Sequence, residues 1–130
     1  MKLLLDTHIW LWSLVEPARL SKRVAAALRG GANEIWLSPV SVWETLMLAE
    51  RKRISVAGDA REWVERALRA SSPREASLTY EVAIRSASLK LATRDPADRF
   101  IAASAAVHGL TLVTADAHLA KSREYAILAN

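Results

Sequence analysis

Short apolar runs alternate with longer amphipathic stretches along the chain. A strand with one solvent-exposed face alternates apolar and polar residues. The short runs are almost entirely apolar instead, so they predict strands buried on both faces. They lie at Lys2–Leu5, Ile35–Leu37, Ala76–Leu78, Leu110–Val113 and Ala126–Leu128. The stretches between them favour helices at Ile9–Val15, Ser21–Arg29, Pro39–Lys52, Ala60–Ala70, Tyr80–Leu91 and Pro96–His108. Two glycine positions, Gly30-Gly31 and Gly109, are expected to end helices.

This alternation of strands and helices predicts a parallel sheet with right-handed crossover connections. The expected fold class is α/β, a three-layer α/β/α domain with a central, mainly parallel sheet of about five short strands. A length of 130 residues suits a single domain over 1–130, and no repeat or long linker divides it. Ligands of such sheets bind beyond the carboxyl ends of the strands.

Composition narrows the possible chemistry. The chain has no cysteine, which excludes disulfides and thiolate catalysis and suits a reducing cytoplasm, the expected location. Its longest apolar stretch is too short to span a bilayer, so no membrane association is expected. The net charge of +4 favours nucleic acid or an acidic protein as partner. The basic residues are scattered, however, and solvated helix faces account for them equally well.

Acidic residues follow the strands that should form the binding edge. Asp6 comes directly after the first strand, Asp116 follows the strand that ends at Val113, and Asp98 lies in the segment RDPADRF. Each has an alternative structural interpretation, because aspartate is a preferred helix N-cap. Asp95 and Asp98, separated by Pro96 and Ala97, also have the spacing of a capping box.

Glu44 does not fit the capping interpretation. With Pro39 at the first helical position, Glu44 falls in the second turn, too late to cap. Its helical neighbours at three and four residues are Val40, Ser41, Met47 and Leu48, none of them a cation. A buried carboxylate without a partner is costly or stays protonated, so a cation from elsewhere is expected, either a metal ion or an arginine from another helix.

One divalent metal site would account for all four acids, Asp6, Glu44, Asp98 and Asp116. Oxygen ligands without cysteine or clustered histidine favour Mg²⁺ or Mn²⁺ over Zn²⁺. Such ions activate water for attack on a phosphodiester, and four carboxylates suffice for one ion or two.

Four segments in order, LLLDTHIWLW, SPVSVWE, RDPADRFIAA and LVTAD, make the chain resemble the PIN-domain ribonucleases. Within that family it closely resembles the VapC toxins of bacterial and archaeal toxin–antitoxin pairs. It implies a parallel sheet with a central first strand and a Mg²⁺- or Mn²⁺-dependent endoribonuclease. The family's acidic residues correspond to Asp6, Glu44, Asp98 and Asp116. Thr114 corresponds to a family hydroxyl beside the last acid, and Asp95 to a second acid in the DPxDR form of the motif.

The resemblance also implies partners. An RNA substrate and a VapB-type antitoxin are expected, with one end of the antitoxin on DNA and the other masking the acids. A homodimer and a larger toxin–antitoxin hetero-oligomer are expected as well.

Several other side chains have both a functional and a structural interpretation. His8 can touch phosphate or assist proton transfer, or can be an ordinary surface histidine. Arg99 can hold a phosphate or pair with a neighbouring acid. Trp10, Trp12 and Trp43 can stack on a base, although core or dimer packing is more usual for tryptophans at helical spacing.

Three other functions remain as alternatives. A phosphoacceptor receiver domain would need adjacent acids after the first strand, whereas Asp6 stands alone. A catalytically silent PIN-like binding module would be free to lose its acids, whereas this chain keeps all four. A DNA-directed nuclease on the same scaffold would use the same acids, so the sequence does not separate it from a ribonuclease.

Overall fold

The computed structural model describes residues 1–130, which form a five-stranded, wholly parallel sheet between two helical layers. The strand order is β3-β2-β1-β4-β5, so the first strand is central, as the family resemblance implied. This confirms the predicted α/β/α fold. The strands are β1 Lys2–Leu5, β2 Glu34–Leu37, β3 Arg74–Glu75, β4 Thr111–Thr114 and β5 Ala126–Ala129.

Six helices cover the two faces of the sheet, and none is long and apolar enough to cross a membrane. They are α1 Thr7–Val15, α2 Lys22–Arg29, α3 Pro39–Glu50, α4 Ala60–Ser71, α5 Tyr80–Ser88 and α6 Pro96–His108, with 3₁₀ turns at Pro17–Arg19 and Leu119–Lys121.

The core is split by the sheet because successive strand residues point to opposite faces. Leu4 and Leu112 pack beneath α5 and α6, whereas Leu3 and Val113 pack beneath α1 and α2. All four side chains are fully buried. Burial on both faces explains why the sequences of these strands are continuously apolar.

The third strand was predicted in the wrong place. The apolar residues Ala76–Leu78 were expected to form it, but β3 consists of the exposed pair Arg74 and Glu75, which pair with Trp36 and Leu37 at the sheet edge. Ala76 is buried as part of the following loop. An edge strand of two residues needs only backbone pairing, so it carries no apolar signal.

Helix ends account for most of the remaining differences. α1 begins at Thr7, two residues earlier than predicted, because Asp6 caps it. α5 ends at Ser88 rather than Leu91, and Leu89 turns into the core. Gly109 ends α6 with a φ of 65°, a left-handed conformation that glycine adopts at low cost, as predicted.

Candidate functional site

A pocket of about 480 Å³ opens at the carboxyl ends of β1 and β4, and carboxylates dominate its lining. The structure brings together all four of the predicted acids, although they come from four separate parts of the chain. Asp95 and His8 line the same pocket. The full lining is Asp6, His8, Trp12, Arg19, Glu44, Asp95, Asp98, Ala115 and Asp116.

Asp6 lies at the floor of this pocket and is 7% exposed. Its Oδ1 accepts a hydrogen bond of 2.8 Å from the backbone N–H of Thr7, and its Oδ2 accepts one of 2.7 Å from the Thr114 hydroxyl. Asp6 therefore caps α1 and also faces the pocket, so the two interpretations of this residue are compatible. Burial raises its pKa, and the bond from Thr114 opposes that rise.

Thr114 ends β4 and joins two of the acids. While its hydroxyl donates to Asp6, the backbone N–H of Asp116 donates to the same oxygen at 3.0 Å. The single hydroxyl proton is thus committed to Asp6. Thr114 therefore positions Asp6 and Asp116, and the metal-water contact that the family resemblance implies for it stays a prediction.

Asp116 follows β4 and also serves as a cap. Its Oδ1 accepts hydrogen bonds from the backbone N–H groups of His118 (2.7 Å) and Leu119 (3.1 Å), at the start of the second 3₁₀ turn. Its Oδ2 accepts no hydrogen bond from the protein, so that oxygen is free to bind a ligand in the pocket.

Asp95 and Asp98 sit at the N-terminus of α6, but they do not form the predicted capping box. Asp95 caps the helix through Oδ1, which accepts from the N–H groups of Ala97 (2.8 Å) and Asp98 (3.3 Å). The N–H of Asp95 donates to Thr93 instead of to the Asp98 carboxylate. Asp98 keeps only a long bond of 3.4 Å from the Thr93 hydroxyl, so its carboxylate is available to the pocket.

The pKa of Asp98 is raised to about 7, and the cause reveals the electrostatics of the site. Burial has the largest effect, and the negative charges of Asp6, Asp95, Asp116 and Glu44 all add to it. The pocket therefore concentrates negative charge, and none of its carboxylates forms an ion pair with an arginine or lysine.

Glu44 comes from the second turn of α3 and is half-buried. Burial raises its pKa, and the charges of Asp6 and Asp95 contribute to the rise. The expected alternative, an arginine partner from another helix, is absent. The ion pairs of the chain join Arg19 to Glu16, Arg61 to Glu65 and Arg74 to Glu34.

Arg99 does not belong to this pocket. Its guanidinium donates to three backbone carbonyls, those of Ser86 (2.8 Å), Thr93 (3.0 Å) and Leu89 (2.6 Å). These bonds fasten the end of α5 and the following loop to α6. The acid pair expected for Arg99 is therefore wrong, because its partners are neutral carbonyl oxygens, and the phosphate contact stays a prediction.

The aromatic residues divide between core and surface. Trp10 is 1% exposed and belongs to the core, whereas Trp43 is 56% exposed on α3. Trp12 lines the pocket, where the ring of His8 lies 5.9 Å from it between centroids. The exposed position of His8 is compatible with either of its predicted roles.

Sequence reasoning missed Arg19, which also lines the pocket. Its guanidinium carbon lies 4.2 Å from the centroid of the Trp12 ring. The two residues are seven positions apart, but α1 ends at Val15 between them, so a helical pattern does not predict the contact. The only available signal was Pro17, which is typical of a new turn.

The donor chemistry of the pocket fits a hydrated divalent cation. No group of three or more histidine, aspartate or glutamate side chains is arranged as a ready-made ligand set for a metal ion. Mg²⁺, however, usually keeps several waters and contacts only one or two carboxylates. A pocket lined by five carboxylates, whose charges add to the effect of burial in raising the pKa of Asp98, suits that mode of binding.

Comparison with known proteins gives consistent matches. The family model described as PIN domain matches residues 3–124. Over 121 residues, the chain is 36% identical to Ribonuclease VapC22 of Mycobacterium tuberculosis, covering 92% of this chain and 91% of that protein.

Two solved structures share the fold. VapBC2 from Rickettsia felis, bound to a DNA fragment from its promoter, matches with a TM-score of 0.68 at 17% identity, over 99% of this chain and 98% of that one. FitAcB from Neisseria gonorrhoeae matches with a TM-score of 0.60 at 23% identity, over 97% of this chain and 96% of that one.

Proposed function

Because the chain belongs to the PIN-domain family, we propose that it is a metal-dependent endoribonuclease and the toxin of a type II toxin–antitoxin pair. The observation that carries this proposal is the pocket in which Asp6, Glu44, Asp98 and Asp116 converge, none of them in an ion pair with an arginine or lysine. The 36% identity to a ribonuclease over most of both chains supports RNA as the substrate.

These four acids would hold Mg²⁺ or Mn²⁺. When bound, such an ion lowers the pKa of a water and neutralises charge on a phosphodiester. The protein's own part is to hold the acids in place. Asp6 is fixed by the Thr114 hydroxyl, and one oxygen of Asp116 is fixed by two backbone N–H groups. His8 is exposed and lines the same pocket, where its ring nitrogens can contact a phosphate.

The proposal includes a VapB-type antitoxin and action in the cytoplasm. The structural relatives named VapBC2 and FitAcB support a toxin–antitoxin assembly, since their folds match along nearly the whole chain. A homodimer, within a larger hetero-oligomer, is supported by apolar side chains left exposed on and beside α5. Tyr80 is 92% exposed, Ile84 73% and Leu78 43%.

The test is cleavage of RNA by purified protein free of antitoxin. We expect cleavage with Mg²⁺ or Mn²⁺, none with EDTA, and none from Asp98→Asn or Asp6→Asn. Asp59→Asn is the matched control, because Asp59 caps α4 through a bond to the N–H of Glu62 and does not line the pocket. Asparagine caps as well as aspartate. Full activity in EDTA, or in Asp98→Asn, would refute the proposed mechanism.

A further inference from the structure

The negative charge of the carboxylate pocket should repel an RNA substrate. A phosphodiester backbone is negatively charged at every residue, and the pocket lining carries five carboxylates. An ion at the acids would neutralise the phosphate that is cleaved, but the neighbouring phosphates would still approach a negative surface. A productive complex therefore needs a cation at the rim.

Arg19 is the only arginine or lysine in the pocket lining. Its guanidinium is stacked over Trp12 at 4.2 Å, a cation–π contact that holds the planar group without consuming its N–H donors. Its one ion pair, with Glu16 at 3.8 Å, is between side chains that are each more than half exposed. Such a pair contributes little and exchanges readily for another anion.

The backbone at Arg19 is fastened to the sheet edge next to the site. The Asn130 amide donates to the carbonyl of Arg19 at 3.1 Å and accepts from the N–H of Ser21 at 2.7 Å, so it holds the chain on both sides of Leu20. The N–H of Asn130 in turn donates to the carbonyl of Thr114, whose hydroxyl positions Asp6. Arg19 is thus placed in a fixed relation to the acids.

We propose that Arg19, held against Trp12, binds a backbone phosphate of the RNA next to the one that is cleaved. The inference rests on the proposed function and adds a second contact point to it. A guanidinium offers paired N–H donors that match two phosphate oxygens. This contact is made equally in the bound substrate and in the transition state, so it sets affinity rather than the rate of the chemical step.

The test compares Arg19→Gln, Arg19→Lys and Arg61→Gln in Mg²⁺-dependent cleavage of a short single-stranded RNA. Arg61→Gln is the matched control, because Arg61 also forms an exposed helical ion pair, with Glu65, but lies on α4 outside the pocket lining. Arg19→Gln should raise KM about tenfold with kcat nearly unchanged. It should also reduce the slope of log KM against log salt by about 0.7–1, the loss of one phosphate contact.

Arg19→Lys should recover part of the affinity and most of the salt slope, because it keeps the charge but loses the stacking and the paired donors. Equal KM values and equal salt slopes for Arg19→Gln and Arg61→Gln, in protein that cleaves RNA, would overturn the inference while leaving the proposed function intact. A fall in kcat together with a lowered melting temperature would also overturn it, since that marks a structural role. Absence of any RNA cleavage by the wild type would instead remove the proposed function, and this inference with it.

Discussion

Replacing Asp98 with asparagine should stabilise the metal-free protein at neutral and alkaline pH. The pKa of Asp98 is raised to about 7 by burial and by four surrounding carboxylates, against a usual value of 3.8. Between these two pH values the folded protein keeps a proton that the unfolded chain has released. The free energy of unfolding therefore falls as pH rises through this window and is lowest above pH 7.

The size of the effect follows from the same two values. Their difference sets an upper limit of about 4 kcal/mol at high pH. Asp98 is only half-buried, so solvent screening reduces the expected gain from Asp98→Asn to about 1–2 kcal/mol. The substitution also removes a favourable negative charge from the first turn of α6, at a cost of about 0.5 kcal/mol, which does not reverse the sign.

Urea denaturation in EDTA at pH 5 and pH 8 measures the free energy of unfolding of each variant. The wild type should lose stability between the two pH values, and Asp98→Asn should lose less and be the more stable protein at pH 8. Asp59→Asn, an exposed cap outside the pocket, should follow the wild type. Millimolar Mg²⁺ should stabilise the wild type by mass action, more at pH 8 than at pH 5, because protons compete for the same carboxylate. Identical pH dependence in the wild type and Asp98→Asn would refute the reasoning.

Two further predictions concern the groups around Asp6. Thr114→Val removes the hydroxyl that joins Asp6 to Asp116 and should lower the free energy of unfolding by about 1–3 kcal/mol in a urea titration and reduce cleavage, whereas Thr114→Ser should retain both. Equal loss in the serine variant would show that the methyl group, not the hydroxyl, matters. In the complex with antitoxin, an antitoxin arginine should lie among the four acids, and its replacement by alanine should restore cleavage while size-exclusion chromatography still detects the complex. Full inhibition by that variant would indicate inhibition by steric cover alone.

The sequence predicts the apolar strands well, including the edge strand β5, and it misplaces the polar edge strand β3. β1 and β4 are recognisable because both faces of each strand are covered, so burial alone determines their residue types. β3 is two exposed polar residues held by backbone pairing to β2, which leaves no mark in the sequence. The observed helix ends also differ from the predicted ones by a few residues, because they depend on capping side chains such as Asp6 rather than on an apolar pattern.

At the pocket, the acids are predictable and the arginines are not. Asp6 and Asp116 follow strands, and the chain direction of a parallel sheet places both at one edge. Arg19 and Arg99 each depend on partners that sequence spacing does not identify. Arg99 bonds to carbonyls 6, 10 and 13 residues away, and Arg19 meets Trp12 across a helix end. The partners of such long, flexible side chains are determined by the tertiary structure, so the local sequence does not predict them.

Because β1 is the central strand, the carboxylate pocket can form only late in the synthesis of the chain. Asp6 and Thr114 are 108 residues apart, yet they share a hydrogen bond, and β1 pairs with β4 along its length. A nascent chain that has left the ribosome only as far as α5 has Asp6 and Glu44 but lacks Asp98, Asp116 and one neighbour of its first strand. The carboxylate pocket therefore cannot form until α6 and β4 have been synthesised. Co-translational binding of antitoxin to the early helices would find the acids still apart.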